Sequence, residues 1–220
     1  MCGWSRGWTG VLLPLACPGC GALDEVVCPG CRERVLRGPL RWRPLADGTV
    51  AVASASFRGP ARGLVVAAKE QGRRDVGEVL ARALARAVAE VGWGEQRCSD
   101  GLLLVPPPAR LGAVLRRADR PTARLAAGAA ELLRAAGSDT RSAELLGHTR
   151  RVCDQAGLSR AERADNVAGA FAVRGTWRTA RPDVVVVDDV LTTGATVAAA
   201  AQALRAAGFR VLGAAVVASA

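Results

Sequence analysis

The stretch VVVVDDVLTTGAT, residues 184–196, places four β-branched residues directly before two aspartates, and a turn rich in threonine and glycine follows. A short valine run bounded by polar residues predicts a buried strand, here over residues 183–188. Residues 196–207 predict a helix that stops at Gly208, and residues 209–217 predict the next strand. Strand, helix and strand in succession indicate a right-handed βαβ unit, and therefore an α/β fold with a parallel sheet covered on both faces.

The turn after the predicted strand has the composition of a phosphate-binding loop. Ligands of parallel sheets bind beyond the carboxyl ends of the strands, and a helix N-terminus offers free N–H groups and a partial positive charge. Thr192, Thr193 and Thr196 add hydroxyl groups, and Gly194 allows close approach of the backbone. The Gly-Lys-Ser/Thr sequence of the Walker type is absent.

Asp188 and Asp189 argue against a bare phosphate as the ligand, because two carboxylates would repel it. A ligand that carries a phosphate at one end and a diol beside it removes this conflict, since the carboxylates then accept hydrogen bonds from the hydroxyls. A divalent cation would reduce the repulsion further. Ribose 5-phosphate has this layout.

The remaining pattern extends the α/β prediction over the chain. Residues 1–45 are rich in Gly, Pro, Cys and Trp and predict a lead-in and a zinc-binding module, and residues 46–220 predict one domain. In that domain we expect strands at 49–57 and 101–108, a helical segment over 61–91 that Gly72 divides, and a helix over 122–136. Residues 138–182 are polar and only weakly periodic.

Four of the seven cysteines lie within CPGCGALDEVVCPGC, residues 17–31. Two CxxC pairs supply four thiolates, which predicts a closed structural Zn²⁺ site at Cys17, Cys20, Cys28 and Cys31. This cysteine usage favours a reducing cytoplasm. No run approaches the roughly 20 apolar residues of a membrane span. The other three cysteines, at positions 2, 98 and 153, give no basis for a nucleophile.

The formal net charge is +10, and the excess lies in the middle of the chain. This suits a partner that carries phosphate, and an Arg-rich solvated surface explains it equally well. Lys69 is the only lysine, a compact point charge where every other basic residue is arginine.

Two acids followed by Thr-Thr-Gly-Ala-Thr resemble the phosphoribosyl pyrophosphate (PRPP) motif of type I phosphoribosyltransferases. The paired CPGC sequences resemble the N-terminal zinc module of ComF-type proteins, the competence-associated branch of these transferases. Residues 54–85, LLLVPPP and residues 151–171 are similar to further family segments in the same order. Residues 116–126, RRADRPTARLA, depart from the family pattern, which leaves the acceptor undefined.

The resemblance implies a type I phosphoribosyltransferase-like sheet that uses PRPP and Mg²⁺ and releases pyrophosphate as ribose 5-phosphate passes to an unknown acceptor such as a nucleobase. Asp188 and Asp189 would hold the ribose hydroxyls, and Lys69, Arg73 and Arg74 would lie near the pyrophosphate. The 5-phosphate would bind to the loop formed by Val190, Leu191, Thr192, Thr193, Gly194, Ala195 and Thr196. Weaker candidates are Arg151, Arg163 and Asn166.

A second interpretation keeps the fold for binding alone, as a PRPP sensor or a competence-type module that handles single-stranded DNA with DNA-processing proteins. Phosphate contacts to DNA would weaken steeply with salt. A scaffold role leaves the acidic pair unexplained. The single histidine, His148, is expected to be structural, no general base is evident, and the sequence does not decide whether the protein forms an oligomer.

Overall fold

The structure is a computed structural model and describes residues 15–92, 101–109, 120–149, 169–175 and 181–220. Within these ranges the chain forms five helices, α1 (Pro29–Arg37), α2 (Gly59–Lys69), α3 (Gly77–Gly92), α4 (Pro121–Ala135) and α5 (Ala195–Ala206). The same ranges contain eight strands: β1 (Arg41–Pro44), β2 (Val50–Ser56), β3 (Leu102–Val105), β4 (Thr140–Ser142), β5 (Leu146–His148), β6 (Phe171–Val173), β7 (Asp183–Leu191) and β8 (Val211–Ser219).

Six strands form a central sheet in the order β1-β2-β8-β7-β3-β4. Every neighbouring pair is parallel except β1 and β2, which form an antiparallel hairpin at one edge. β5 and β6 pair separately as a small antiparallel sheet. The fold is therefore mixed α/β with a mostly parallel sheet, as the β7–α5–β8 succession predicts.

Helices cover both faces of the central sheet, because its strands are apolar on both sides. Successive residues of a strand point to opposite faces, and the four valines of β7 divide accordingly between two cores. Val185 and Val187 join the core under α1, α2, α3 and α4. Val184 and Val186 join the core under α5 and the small β5–β6 sheet. All four valines are fully buried, which confirms the predicted burial of this strand.

The predicted elements of the domain are present with shifted ends. The helical segment is divided, and Gly72 lies between α2 and α3 with a positive φ of 68°. β7 continues to Leu191, three residues beyond the predicted end at residue 188. Asp188 therefore lies inside the strand rather than at its end, Asp189 lies in the strand rather than after it, and their neighbours Val190 and Leu191 still pair with β8.

Short elements escaped the sequence prediction. β4, β5 and β6 have three residues each, too few to show a period, and they fall in the polar region 138–182. α1 falls within residues 1–45 and is held by two buried side chains, Cys31 and Val35. β1 lies before the expected domain boundary at residue 45, yet it pairs with β2 of the central sheet.

The cysteine-containing segment packs directly on α2. A Cβ atom added at Gly63 would lie 2.0 Å from the carbonyl oxygen of Pro18, so only glycine allows this approach. Arg86 of α3 donates to the carbonyl oxygens of Ser54 and Gly38, which joins α3 to β2 and to the end of α1. No described helix is both long and apolar enough to cross a membrane.

Candidate functional site

Asp188 and Asp189 stand near the carboxyl end of β7, where a parallel sheet binds its ligands. Asp189 contacts Lys69 at the end of α2, whereas Asp188 lies in register with Val216, which belongs to the core under α5. Asp189 is buried, and Asp188 is partly buried. The adjacent acids consequently meet different surroundings.

Asp189 is paired with Lys69, the last residue of α2. The Lys69 Nζ atom lies 3.2 Å from Oδ1 and 2.8 Å from Oδ2 of Asp189. The Asp189 side chain is 6% exposed and that of Lys69 is 54% exposed, so the ammonium group neutralises a buried carboxylate while remaining open to solvent. The single lysine of the chain therefore lies beside the acidic pair.

Asp188 has an altered affinity for protons. Burial, together with the negative charge of Asp189, raises the pKa of Asp188 from its ordinary value of 3.8 to about 7. The N–H of Asp189, which donates to Asp188 Oδ1 at 2.8 Å, and the charge of Lys69 act in the opposite direction and are outweighed. Near neutral pH this carboxyl therefore populates both its protonated and its ionised form, and a bound cation or a hydrogen-bond-donating hydroxyl group would favour the ionised form.

The turn after β7 folds back into α5. Gly194 caps the helix with a positive φ of 87°, a conformation that side-chain-bearing residues adopt at a cost. Its carbonyl accepts the first helical bond from the N–H of Ala198, and the Thr193 hydroxyl accepts the N–H of Ala195 at 3.3 Å. Helix geometry leaves the N–H groups of Thr196 and Val197 without helical acceptors. These donors and the exposed Thr192, Thr193 and Thr196 side chains can bind an anion.

The predicted loop residues divide into anchors and exposed groups. Leu191 is buried in the core under α5, and Val190 is partly buried against the core on the other face. These two side chains hold the turn to the sheet. Thr192, Thr193 and Thr196 are exposed, and Ala195 is intermediate.

Two residues at this turn were not predicted from the sequence. The Arg43 Nη1 atom donates to the carbonyl oxygen of Thr192, and a Cβ atom at Gly194 would lie 2.6 Å from the Leu45 side chain. Both belong to the β1–β2 hairpin. The signal that could have revealed this hairpin is Asp47-Gly48, a dipeptide typical of tight hairpin turns, and Gly48 has a positive φ of 81°.

Arg73 and Arg74 do not share the contacts of the acidic pair. Arg73 forms two bonds with Asp75, at 3.1 and 2.7 Å, and donates to the carbonyl oxygens of Ala16 and Val26. It therefore fastens the cysteine-containing segment to the turn between α2 and α3. Arg74 is exposed and lines a cavity of about 530 Å³ between α3 and α4.

The four cysteines of residues 17–31 form a compact cluster. Their sulfur atoms all lie within 4.8 Å of one another. A tetrahedral zinc site with bonds of about 2.3 Å places its sulfur atoms about 3.8 Å apart, so the cluster fits one metal ion. A Cβ atom at Gly19 would lie 2.8 Å from Sγ of Cys31, which shows how tightly the loop wraps this sulfur.

The proton affinities of two buried thiols also suit a bound cation. Although burial opposes ionisation, backbone N–H donors, that of Cys28 foremost, lower the pKa of Cys17 to about 6. Burial and the neighbouring cysteines raise the pKa of Cys31. A divalent metal ion would favour the ionised form of both Cys17 and Cys31, because its positive charge compensates the neighbouring thiolates.

Neither the protein-family models nor the curated proteins searched give a match to this chain. Membership of a transferase family therefore stays a prediction, which the geometry of the site has to support by itself. The weaker candidates Arg151, Arg163 and Asn166 lie outside the described residues, as do Cys2, Cys98 and Cys153 and residues 116–119 of the divergent segment 116–126.

His148 makes contacts away from the acidic pair. Its Nε2 atom lies 2.9 Å from the carbonyl oxygen of Ala109, and its ring meets Phe171 edge-on with centroids 5.4 Å apart. These contacts connect β5 to β6 and to the loop after β3. They give His148 a packing role.

Proposed function

We propose that the protein binds PRPP with Mg²⁺ at the turn after β7 and transfers ribose 5-phosphate to a nitrogen acceptor with release of pyrophosphate. This proposal rests on one observation: an acidic pair and a helix start that can bind an anion lie next to each other at the carboxyl end of β7. The pair is Asp188 and Asp189, and the helix start follows Gly194. Lys69 adds a cation beside the carboxylates.

Each part of this edge matches one part of ribose 5-phosphate. The N–H groups of the first turn of α5 and the threonine hydroxyls bind the 5-phosphate. Asp188 and Asp189 accept hydrogen bonds from the 2′ and 3′ hydroxyls, and these carboxylates disfavour a phosphate that lacks a neighbouring diol. Mg²⁺, when bound with the substrate, neutralises charge on the pyrophosphate.

In the transfer step the acceptor nitrogen forms a bond to ribose C1 while the bond from C1 to the pyrophosphate oxygen breaks. The bonding electrons leave with pyrophosphate, and the acceptor nitrogen loses its proton to solvent. Lys69 stabilises the negative charge that develops on the leaving group, from a position that its ion pair with Asp189 fixes in advance. Positioning of the two reactants accounts for the rest of the acceleration.

Calorimetric titration of the protein with PRPP in the presence of Mg²⁺ tests this proposal, and pyrophosphate release with nucleobases tests turnover. We expect binding in the wild type and its loss in the Asp188→Asn/Asp189→Asn double variant. Asp183→Asn is the matched control, since it removes a charge at the opposite end of β7. Absence of PRPP binding in the wild type would refute the proposal, and binding without turnover would reduce it to a PRPP-binding module.

One observation favours nucleic acid as a second candidate ligand. Trp42 is 55% exposed on the edge strand β1, between Arg41 and Arg43, and an exposed ring flanked by cations can stack on a base. Titration with single-stranded oligonucleotides should then show binding that falls steeply with salt and that Trp42→Ala weakens. Val50→Ala, another exposed apolar residue of this hairpin, is the control, and salt-independent or absent binding would exclude this candidate.

A further inference from the structure

We propose that Arg43 is a positioning residue of the phosphate site, which fixes the backbone of the turn after β7 through the carbonyl group of Thr192. The ligand side of this inference rests on the proposed function. The contact joins two residues 149 positions apart, and it brings a strand from the predicted zinc-module region into the candidate active site. Sequence motifs gave no role to Arg43.

Arg43 lies on β1, a strand whose position is fixed by its pairing with β2 and by contacts of the hairpin loop. In the β1–β2 hairpin Arg43 lies opposite Ala51, whose side chain belongs to the core under α5, so both side chains share that face. The hairpin loop is closed by the N–H of Leu45, which donates to the carbonyl oxygen of Thr49 at 2.8 Å. The far end of α5 holds the same loop, because Arg205 forms an ion pair with Asp47 at 2.9 Å.

The bond from Arg43 sets the orientation of one peptide plane. In a planar trans peptide the C=O of Thr192 and the N–H of Thr193 point in opposite directions. When the guanidinium group holds the carbonyl, the N–H of Thr193 must point away from the hairpin. A charged donor on the carbonyl also polarises the peptide, which makes that N–H a stronger donor to a bound anion.

Leu45 restrains the next part of the turn. Its side chain packs where a Cβ atom of residue 194 would stand, so only glycine, here with a positive φ of 87°, fits beside the hairpin at this position. Arg43 and Leu45 together hold the carbonyl of Thr192 and the backbone of Gly194. The phosphate-binding backbone is thereby preorganised before any ligand arrives.

The charge of Arg43 adds to this positioning. None of the ion pairs of the described residues includes Arg43, so its positive charge is not cancelled by a described carboxylate at salt-bridge distance. The charge therefore raises the electrostatic potential at the start of α5, where the partial positive charge of the helix already favours an anion.

The test compares Arg43→Gln and Arg43→Lys with Arg41→Gln, a control that removes an equal charge from the same strand at an exposed position. The first readout is the backbone amide signal of Thr193 in ligand-free protein. We expect this signal to move upfield in Arg43→Gln, to move less in Arg43→Lys, and to stay in place in Arg41→Gln. Arg43→Lys also serves if Arg43→Gln does not fold.

The second readout is affinity for ribose 5-phosphate and for unphosphorylated ribose. Arg43→Gln should weaken ribose 5-phosphate binding about tenfold, the effect of one lost charge-assisted hydrogen bond, with partial rescue by lysine and little effect on ribose. An unmoved Thr193 amide, or an equal effect of Arg41→Gln, would overturn the inference. If the wild type binds no ribose 5-phosphate, the proposed function fails, and the amide signal still decides the role of Arg43.

Discussion

The ammonium group of Lys69 compensates the negative charge of the buried Asp189 carboxylate. Replacing Lys69 with glutamine leaves Asp189 without its cation and should lower the free energy of unfolding by about 1–3 kcal/mol. Because a neutral amide at position 189 would need no counter-charge, Lys69→Gln/Asp189→Asn should recover much of that loss. Urea denaturation of both single variants and the double variant measures the coupling. Purely additive effects would show that the pair does not stabilise the fold.

Asp188 provides a pH-dependent prediction at the same scale. A carboxyl whose pKa is raised to about 7 in the folded state, from 3.8, costs stability progressively as the pH rises through that interval. Asp188→Asn removes this cost and can still accept the N–H of Asp189. The variant should melt at least roughly 2–4 °C above wild type at pH 8, the shift that 1 kcal/mol produces in a domain of this size, and the gain should shrink at pH 5.

Melting curves of wild type and Asp188→Asn between pH 4 and 9 check this prediction. Asp139→Asn is a suitable control, since the Asp139 side chain is exposed and lies before β4 rather than on β7. A gain in melting temperature that is equal at pH 5 and pH 8 would show that ionisation of Asp188 is not its origin.

Sequence reasoning at the residue scale found the acidic pair and singled out Lys69 by its rarity. It could not show that the two acids occupy different faces, since that follows from the extension of β7 to Leu191. Nor could it pair Lys69 with Asp189. These residues are 120 positions apart in the sequence, and their contact depends on how α2 packs on the sheet. It also could not show that Arg73, which was predicted near the pyrophosphate, binds backbone carbonyls of the cysteine-containing segment.

At the scale of elements, the contact between α2 and the cysteine-containing segment depends on Gly63. Gly63→Ala places a Cβ atom 2.0 Å from the carbonyl oxygen of Pro18, so the backbone must separate, at a cost of about 1–3 kcal/mol. Gly77→Ala in α3 is the matched control, because a Cβ atom there meets nothing within 4 Å. Thermal denaturation distinguishes them, and equal effects of the two substitutions would contradict the packing described.

The elements that the sequence predicted are those with a long apolar pattern, such as β7, α3 and α5. The β1–β2 hairpin was missed because Arg-Trp-Arg-Pro is only four residues long, ends in a proline and lacks β-branched residues, so its pairing depends on a partner strand. The sequence pattern that indicates this hairpin is its turn dipeptide, Asp47-Gly48. Missing this hairpin also meant missing two residues of the candidate site, because Arg43 and Leu45 of the hairpin contact the turn after β7.

At the scale of the whole molecule, the cysteine cluster and the sheet share one core. Cys17 and Cys31 are buried in the same apolar cluster as residues of α2, α3 and β7. Loss of a metal ion from the cluster should therefore reduce the stability of the entire fold rather than that of a separate module. The predicted boundary between the module and the domain would then not be a boundary of cooperative unfolding.

Metal analysis and chelation test this coupling. We expect one Zn²⁺ per chain in the wild type and its loss in Cys17→Ser. When free zinc is initially at a thousandfold excess over its dissociation constant, chelation should lower the free energy of unfolding by about 4 kcal/mol. The exposed Cys20 offers a milder variant, Cys20→Ser, for comparison. A chelator that removes the metal without changing the melting temperature would contradict a shared core.

The α/β class, the parallel sheet and the position of the acidic strand follow from periodicity and turn chemistry over the whole chain. The strand order does not follow from these patterns, and neither does the meeting of α2, β1 and β7 around the turn after β7. Both arise from long-range packing that no local pattern encodes. The proposed ligand, PRPP, rests on the charges at this site: the acidic pair Asp188 and Asp189, and the cation of Lys69 beside it.

A crystal structure of the protein with PRPP and Mg²⁺ would test this ligand assignment. We expect the 5-phosphate at the backbone of residues 192–196, the ribose hydroxyls on Asp188 and Asp189, and the pyrophosphate within reach of Lys69. The contradicting result is a phosphate bound elsewhere, for example in the cavity of about 210 Å³ beside Arg34, Arg41 and Arg58, with the turn after β7 empty.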